Sequence, residues 1–264
     1  MKKYTTVLTI AGSDCSGGAG IQADLKTFCA HDCYGMSVIT AVTAQNTQGV
    51  KAIESISPQM IKSQFNSIIK DIEIDAIKIG MLGNAATIEA VASFLDVIDC
   101  PIVLDPVMCA SSGDSLLSRD AISFLCKKLL PSVDLITPNH HEAQRLSEQS
   151  IEEKKDMIAV AQKISQLGVK NILIKGGDFD SSTCSDLLFK ANTGEIIWFE
   201  HPRIKTTNTH GTGCTLSAAI SCHLAKNKTM QTAINSAKNY VTQALRQGSE
   251  YQLGKGIGPV NHGI

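Results

Sequence analysis

Apolar and polar positions along the chain follow two alternating periods. "YTTVLTIA" (4–11) has the length and β-branched content of a buried strand and stops at a Gly-Ser-Asp turn. Segment 20–32 then sets Ile21, Leu25 and Phe28 at the spacing of an amphipathic helix. The exchange recurs. Further strands are predicted over 35–45, 75–82, 100–107 and 170–178, and "VDLITPNHHEA" (133–143) reads as strand, turn and helix. Further helices are predicted from Pro58 behind a Ser57 cap, over 84–96 behind Asn84, and over 118–130 from Ser118. Others are expected over 152–167 with Gly168 as the C-terminal cap, over 214–225 and over 229–247. "TCSDLLFKANTGEIIWFEH" (183–201) reads as a β-hairpin turned at Asn192, Thr193 and Gly194.

Such alternation predicts an α/β fold: a mostly parallel sheet covered by helices on both faces, with the hairpin as a small antiparallel edge. No low-complexity linker, internal repeat or shift in composition divides the chain, so one domain over 1–264 is expected. The glycine-rich tail 254–264 reads as irregular. The clusters "GSDCSGGAG", "TAQNT", "KIGML", "LDPVM", "TPNHHE" and "IKGGD" each follow a strand. In open α/β sheets the ligand lies beyond the carboxyl ends of the strands, so these clusters should line one site on one edge.

Composition narrows the function. The 264 residues are 43% hydrophobic and 19% charged, as in a soluble globular protein. A net charge of −1 and 5% aromatic residues leave no footprint for nucleic acid or a membrane surface. No apolar run suits a membrane span and no secretory signal is visible, so a cytoplasmic protein is expected. The nine cysteines are odd in number and contain no Cys-x-x-Cys pair, which argues against a zinc knuckle. Cys100 and Cys126 lie in or beside apolar segments and are expected to be reduced, partly buried thiols.

Candidate chemistry gathers in a few segments. No G-x-x-x-x-G-K-[ST] occurs, which excludes a P-loop, and Gly18-Ala-Gly20 imitates a dinucleotide fingerprint only weakly. "NTHGTGCTLSAA" (208–219) is a glycine turn opening a helix. Its backbone amides and the positive helix end would trap an anion such as a phosphoryl oxygen, although a simple connecting turn has the same composition. A thiol at that helix end, Cys214, should have a lowered pKa and serve as base or nucleophile; the alternative is a small residue filling a tight turn. Asn139 and Glu142 fit a capping box, or a carboxylate holding Mg²⁺ through water. The adjacent His140 and His141 point apart on a helix and make poor joint ligands. Asp105 and Asp24 are carboxylates near strand ends or first helical turns, and Lys175 ends a strand where it could reach a phosphate. A cysteine-nucleophile hydrolase or acyl transferase would need a histidine base, for which His210 is the first candidate and His31 or His223 the next.

Together these segments carry a resemblance. "TIAGSDCSGGAGIQADLKTF" (9–28), "YGMSVITAVTAQNTQGV" (34–50), "IKIGML" (77–82), "VLDPVM" (103–108), "TPNHHEA" (137–143), "IKGGD" (174–178), "THGTGCTLSAAI" (209–220) and "GPVNH" (258–262) run in order over nearly the whole chain. The chain resembles the ribokinase-like superfamily and, within it, the hydroxymethylpyrimidine/phosphomethylpyrimidine kinases of thiamine biosynthesis. The resemblance implies a three-layer α/β/α sandwich, ATP and Mg²⁺, and homodimers. It implies phosphorylation of 4-amino-5-hydroxymethyl-2-methylpyrimidine to its monophosphate and then its diphosphate. By position, Gln45 would read the pyrimidine, with Gly12, Asp24, Met81 and Val107 lining its pocket. Glu142 and Asp105 would serve the metal, and Asn139, Lys175, Gly177 and Thr209 the ATP phosphates. Gly211, Thr212 and Gly213 would form the anion hole, and Cys214 would act on the substrate hydroxyl where most of the superfamily has Asp. The His pair between Asn139 and Glu142 departs from the apolar or proline residues usual there. Pyridoxal kinases of the same fold share the GTGC-like turn but tend to lack "TAQNT", so Gln45 favours the pyrimidine. A precursor-binding protein without turnover would not need the metal and anion-hole positions.

Overall fold

A computed structural model describes residues 2–95, 97–109, 113 and 116–264. Nine strands join in one sheet among the described residues: β1 (Thr6–Asp14), β2 (Tyr34–Asn46), β3 (Gly49–Ser55), β4 (Ala76–Ile79), β5 (Ile102–Leu104), β6 (Leu135–Ile136), β7 (Asn171–Ile174), β8 (Thr183–Lys190) and β9 (Glu195–Pro202). Their spatial order is β3-β2-β1-β4-β5-β6-β7-β8-β9. The strands from β2 to β7 in that order pair in parallel, whereas β3, β8 and β9 are antiparallel to their neighbours.

Strand side chains alternate between two cores, as a period of two demands. Ile102 and Leu104 enter one cluster and Val103 the other; Ile172 and Ile174 separate from Leu173 in the same way. The first face is covered by α2 (Pro58–Ile69), α3 (Ala85–Leu95), α4 (Arg119–Phe124), α5 (His140–Ser147) and α6 (Asp156–Ser165), through residues such as Phe65, Phe94, Leu146 and Ile164. The second is covered by α1 (Gly20–Ala30), α7 (Thr212–Ala225) and α8 (Met230–Gly248), through Phe28, Ile220 and Ile234. The result is the expected α/β fold, a mostly parallel sheet with helices on both faces.

Several local expectations hold. The Ser57 side chain accepts from Met60 N–H, and Asn84 Oδ1 accepts from Thr87 N–H at 2.9 Å. Gly194 turns the β8–β9 hairpin at φ 71°. The C-cap of the helix that ends at Ser165 is Gln166 rather than Gly168, which follows two residues later at φ 96°. Residue 96, the end of one predicted helix, lies outside the described residues. Cys100 and Cys126 are unpaired and partly buried, and burial raises both thiols, Cys100 to about 12. No described helix is long and apolar enough to cross a membrane. The tail is mostly irregular, but Pro259 bridges to His210.

Three further expectations change. β3 adds a second antiparallel edge that the apolar pattern does not reveal, because none of its residues is buried. The predicted helix 118–130 stops its regular turns at Phe124 and continues as a π turn (Leu125–Leu129) and a 3₁₀ turn (Leu130–Ser132). Pro131 supplies no N–H for a continuing helix. α6 starts at Asp156 rather than 152, because the Asp156 carboxylate accepts from the Glu152 and Glu153 amides at 3.0 and 2.9 Å and holds them in a turn.

Candidate active site

The parallel strands deliver their carboxyl ends to one edge, where a cavity of about 1020 Å³ opens. Every cluster that follows a parallel strand contributes: Asp14, Gln45, Met81, Asp105, Glu142 and Lys175 come from six of them, and residues 209–214 add the turn into α7. Two glycines let that turn and the β1–α1 loop fit. A Cβ on Gly211, whose φ is 81°, would stand 1.8 Å from the Gly18 carbonyl oxygen. One on Gly20, at φ 56°, would stand 2.3 Å from the Gly12 carbonyl oxygen.

First-turn amides of a helix lack intrahelical acceptors. At the start of α7, Thr212 N–H turns back to Thr209 O at 3.2 Å, and the Thr212 hydroxyl donates to the same oxygen at 2.7 Å. The amides of Gly213 and Cys214 have no backbone acceptor among the described residues. A Cβ on Gly213 would lie 3.3 Å from both Asp105 Oδ2 and Lys175 Nζ, so the positive helix end abuts that ion pair.

Lys175 Nζ donates to Asp105 Oδ1 at 3.0 Å and lies 3.9 Å from Glu142 Oε2. Burial pulls the Lys175 pKa down, but Asp105 and Glu142 more than offset it, and the amine stays charged. Glu142 also closes the capping box: its Oε2 accepts from Asn139 N–H at 2.8 Å, and Asn139 Oδ1 accepts from Glu142 N–H at 2.9 Å. Burial, with a smaller push from Asp105, raises Glu142 to about 7 against the pull of Lys175. Capping and active-site placement are therefore not alternatives here, since the same carboxylate does both.

At the other side, Asp14 Oδ2 lies 2.8 Å from His210 Nε2 and accepts from the Gly18 and Ala19 amides at 3.1 and 2.9 Å. Burial pushes this carboxyl up, but hydrogen bonds from His210 and Ser16 more than offset it and hold it at about 2. Gln45 Nε2 lies 3.4 Å from His210 Nε2, and Gln45 Oε1 lies 3.3 Å from Thr43 Oγ1.

A family model described as "Phosphomethylpyrimidine kinase" matches residues 14–261. The chain belongs to the phosphomethylpyrimidine kinase family. The hydroxymethylpyrimidine/phosphomethylpyrimidine kinase of Haemophilus influenzae is 46% identical over 268 residues, 99% of this chain and 98% of that one. The crystal structure of phosphomethylpyrimidine kinase from Clostridium difficile 630 aligns with a TM-score of 0.80 and 43% identity, covering 91% of this chain and 99% of that one. Bacillus subtilis pyridoxal kinase, solved as an ADP complex, aligns with a TM-score of 0.89 and 35% identity over 98% of each chain.

The kinase brings together nearly all the residues that its sequence singles out. Gly12, Gln45, Met81, Val107, Asp105, Asn139, Glu142, Lys175, Gly177, Thr209, Gly211, Thr212, Gly213 and Cys214 all border the cavity. Asp24 does not. Its carboxylate is fully buried beneath, gripped by Lys78 Nζ at 2.9 and 2.8 Å and by the Thr9 hydroxyl at 2.6 Å. A carboxylate so enclosed cannot face a substrate, and it is Lys78 that reaches the cavity wall.

Cys214 brings the second correction. Its thiol is raised to about 11, not lowered. Burial is the main cause, and Asp24 and Asp105 add to it; Lys78 and the Gly20 amide pull the other way without prevailing. The resting kinase therefore holds a protonated thiol. His210 is engaged with Asp14 and Gln45, and no hydrogen bond joins it to Cys214 among the described residues, so the cysteine-nucleophile arrangement is not assembled.

Asp14, Lys78, Thr43 and the Asp14–His210 contact escaped the sequence analysis. One signal was present: a lysine inside the apolar strand "AIKI" needs a buried anion, and Asp24 lies on the neighbouring helix.

Proposed function

We propose that this kinase transfers the γ-phosphoryl group of ATP to the hydroxymethyl group of 4-amino-5-hydroxymethyl-2-methylpyrimidine. A second transfer converts the monophosphate to the diphosphate, for thiamine biosynthesis. One observation carries the proposal. A helix terminus with unpaired amides, flanked by Lys175, shares one cavity with a carboxamide suited to an aminopyrimidine edge. Gln45 would read the ring, with Gly12, Met81 and Val107 around it. Lys175, Asn139, Gly177 and Thr209 would meet the ATP phosphates.

Phosphoryl transfer needs positioning and charge stabilisation more than covalent help. The Gly213 and Cys214 amides and Lys175 would take up charge on the equatorial oxygens as the bond from the pyrimidine oxygen to Pγ forms and the bond to ADP breaks. A protonated Cys214 thiol is not a preformed base. It would orient the hydroxyl, whose proton leaves late and passes to the transferred phosphoryl group.

Mg²⁺ ordinarily keeps several waters and binds through one or two carboxylates plus substrate phosphates. Among the described residues no cluster of three or more His, Cys, Asp or Glu side chains offers a complete cage. Glu142 and Asp105, both at the cavity, fit the sparser requirement. Bound there, the ion would neutralise phosphate charge.

The proposal further takes residues 1–264 as one domain acting in the cytoplasm as a homodimer. The free cysteines suit a reducing compartment, and sedimentation velocity tests the dimer. The decisive assay gives the purified protein ATP, Mg²⁺ and either the pyrimidine alcohol or pyridoxal, with phosphorus NMR of the products. A monophosphate followed by a diphosphate of the pyrimidine is expected. A phosphate ester formed on pyridoxal alone would favour the second reading, a pyridoxal kinase, which the alignment with the Bacillus subtilis enzyme keeps in play.

A further inference from the structure

We propose that Asp14 and His210 act as positioning residues that fix the orientation of the Gln45 carboxamide, and thereby select which polar edge of a substrate ring the cavity accepts. This inference deepens the pyrimidine assignment above and rests on it for the identity of the ring.

The hydrogen bonds leave little freedom. Asp14 accepts from the Ser16, Gly18 and Ala19 amides and the Ser16 hydroxyl, as an ionised carboxylate does. An ionised carboxylate has no hydrogen to give, so at 2.8 Å from Asp14 Oδ2 the His210 Nε2 must carry one. That hydrogen goes to Asp14, so Gln45 Nε2, placed 3.4 Å from the same nitrogen, sets donor against donor and finds no acceptor there. A half-turn of the amide would bring its oxygen there instead, to take a minor share of the same hydrogen. The other end of the amide, placed as Oε1, lies 3.3 Å from Thr43 Oγ1, whose single hydrogen is given to Ser13 O at 2.9 Å. Thr43 can only accept there, so that end suits the amide NH₂.

Both neighbours therefore favour the amide half-turned from its placed position, with oxygen toward His210 and nitrogen toward Thr43. The nitrogen and oxygen of an amide exchange by a half-turn about the terminal bond, and the hydrogen-bond network decides between them. With nitrogen toward His210, donor would face donor at one end and two groups would compete for one hydrogen at the other. The His210 ring is buried and packs against Gly18. Its Cδ2 would lie 2.4 Å from a Cβ on Gly18, and its backbone is tied to Gly258 O at 2.9 Å.

The amide keeps one hydrogen and an oxygen lone pair for a ligand. Gln45 borders the cavity, so it presents a donor beside an acceptor in fixed order. A ring nitrogen next to an exocyclic amino group complements that order. A ring N–H next to a carbonyl sets donor against donor and acceptor against acceptor. Sites built to hydrogen-bond a substrate group reject a mismatched analogue strongly, so a preference of about 100-fold is expected.

Two measurements test the inference. The first needs no substrate. Nitrogen-15 NMR of the wild-type protein should show His210 protonated at Nε2, with the Gln45 amide protons close to the Thr43 methyl group and remote from the imidazole. An unprotonated Nε2, or amide protons against the ring, would overturn it. The second compares kcat/KM for the 4-amino pyrimidine alcohol with that for its 4-oxo analogue. The wild type should prefer the amino compound by about 100-fold. His210→Leu should cut the preference to within about threefold, mainly through KM for the pyrimidine, with KM for ATP unchanged within about twofold. His210→Gln, which keeps a donor at similar reach, should restore most of the preference, and Thr43→Val, which frees the other end, should lose it. An unchanged preference in both His210→Leu and Thr43→Val overturns the inference. If the wild type phosphorylates neither pyrimidine, the substrate assignment falls, and the NMR still decides the relay.

Discussion

Two lysines border the cavity, and both sit against buried carboxylates, yet the structure uses them differently. Lys78 is 0% exposed and locked onto both oxygens of Asp24. Lys175 is 17% exposed, with one bond to Asp105 and a 3.9 Å approach to Glu142. A fully enclosed pair, its charge balanced by both carboxylate oxygens, acts as scaffold and fixes α1 to β4. A loosely held amine at a helix end can exchange part of its pairing for a phosphate. Equal charge on one cavity wall thus carries different roles, and exposure together with the hold of the partner carboxylate tells them apart.

The largest effect separating the two should come from Lys78→Met. It strands the Asp24 carboxylate in an enclosed site, and urea unfolding should show a loss of about 3–5 kcal/mol. Adding Asp24→Leu should recover much of that loss, because an apolar pair needs no charge balance. Lys175→Met should instead act on the reaction, lowering kcat by about 100- to 1000-fold while urea unfolding changes much less. A fold lost on Lys175→Met, or unchanged on Lys78→Met, would break the comparison.

Next in size is the sulfur between them. With its thiol near 11, Cys214 should react with iodoacetamide at pH 7 about 100-fold more slowly than an unperturbed cysteine, the rate climbing through pH 9–11. Mass spectrometry of the modified peptide reads this directly. An alkylation midpoint near pH 7 would restore the thiolate that the helix terminus alone suggests.

Glu142, the looser partner of Lys175, supplies a pH test. Its folded pKa of about 7 exceeds the ordinary glutamate value of 4.5, so the folded protein binds this proton more tightly than the unfolded chain. The associated stability is full below pH 4.5 and is lost as pH rises through about 7. Glu142→Gln should flatten that limb of the stability profile by about 2 kcal/mol in thermal or urea unfolding. The smallest effect belongs to a surface lysine. Lys190 pairs with Glu195 at 2.8 Å across the exposed hairpin, and Lys190→Met should change unfolding by no more than about 0.5 kcal/mol.

How much of this was legible in the sequence depends on how local each cause is. Ser57, Asn84 and Gly194 act within one turn, so their roles follow from their neighbours along the chain. The site clusters were legible because each ends a strand, and a parallel sheet brings such ends together. β3 was not, since an edge strand without a buried residue carries no apolar alternation. Asp24 and Lys78 are 54 positions apart, and Asp14 and His210 are 196 apart. No local pattern announces either pair.

The amino-acid order by itself determined the α/β alternation, the edge on which the site forms and most of the residues that border it. Those properties depend on backbone periodicity and on the direction of parallel strands. Tertiary structure alone decided that Asp24 lies beneath the cavity, that the Cys214 thiol is raised, and that Gln45 meets His210. Each of these is set by desolvation and by hydrogen-bond partners drawn from distant segments, which exist only once the chain has folded.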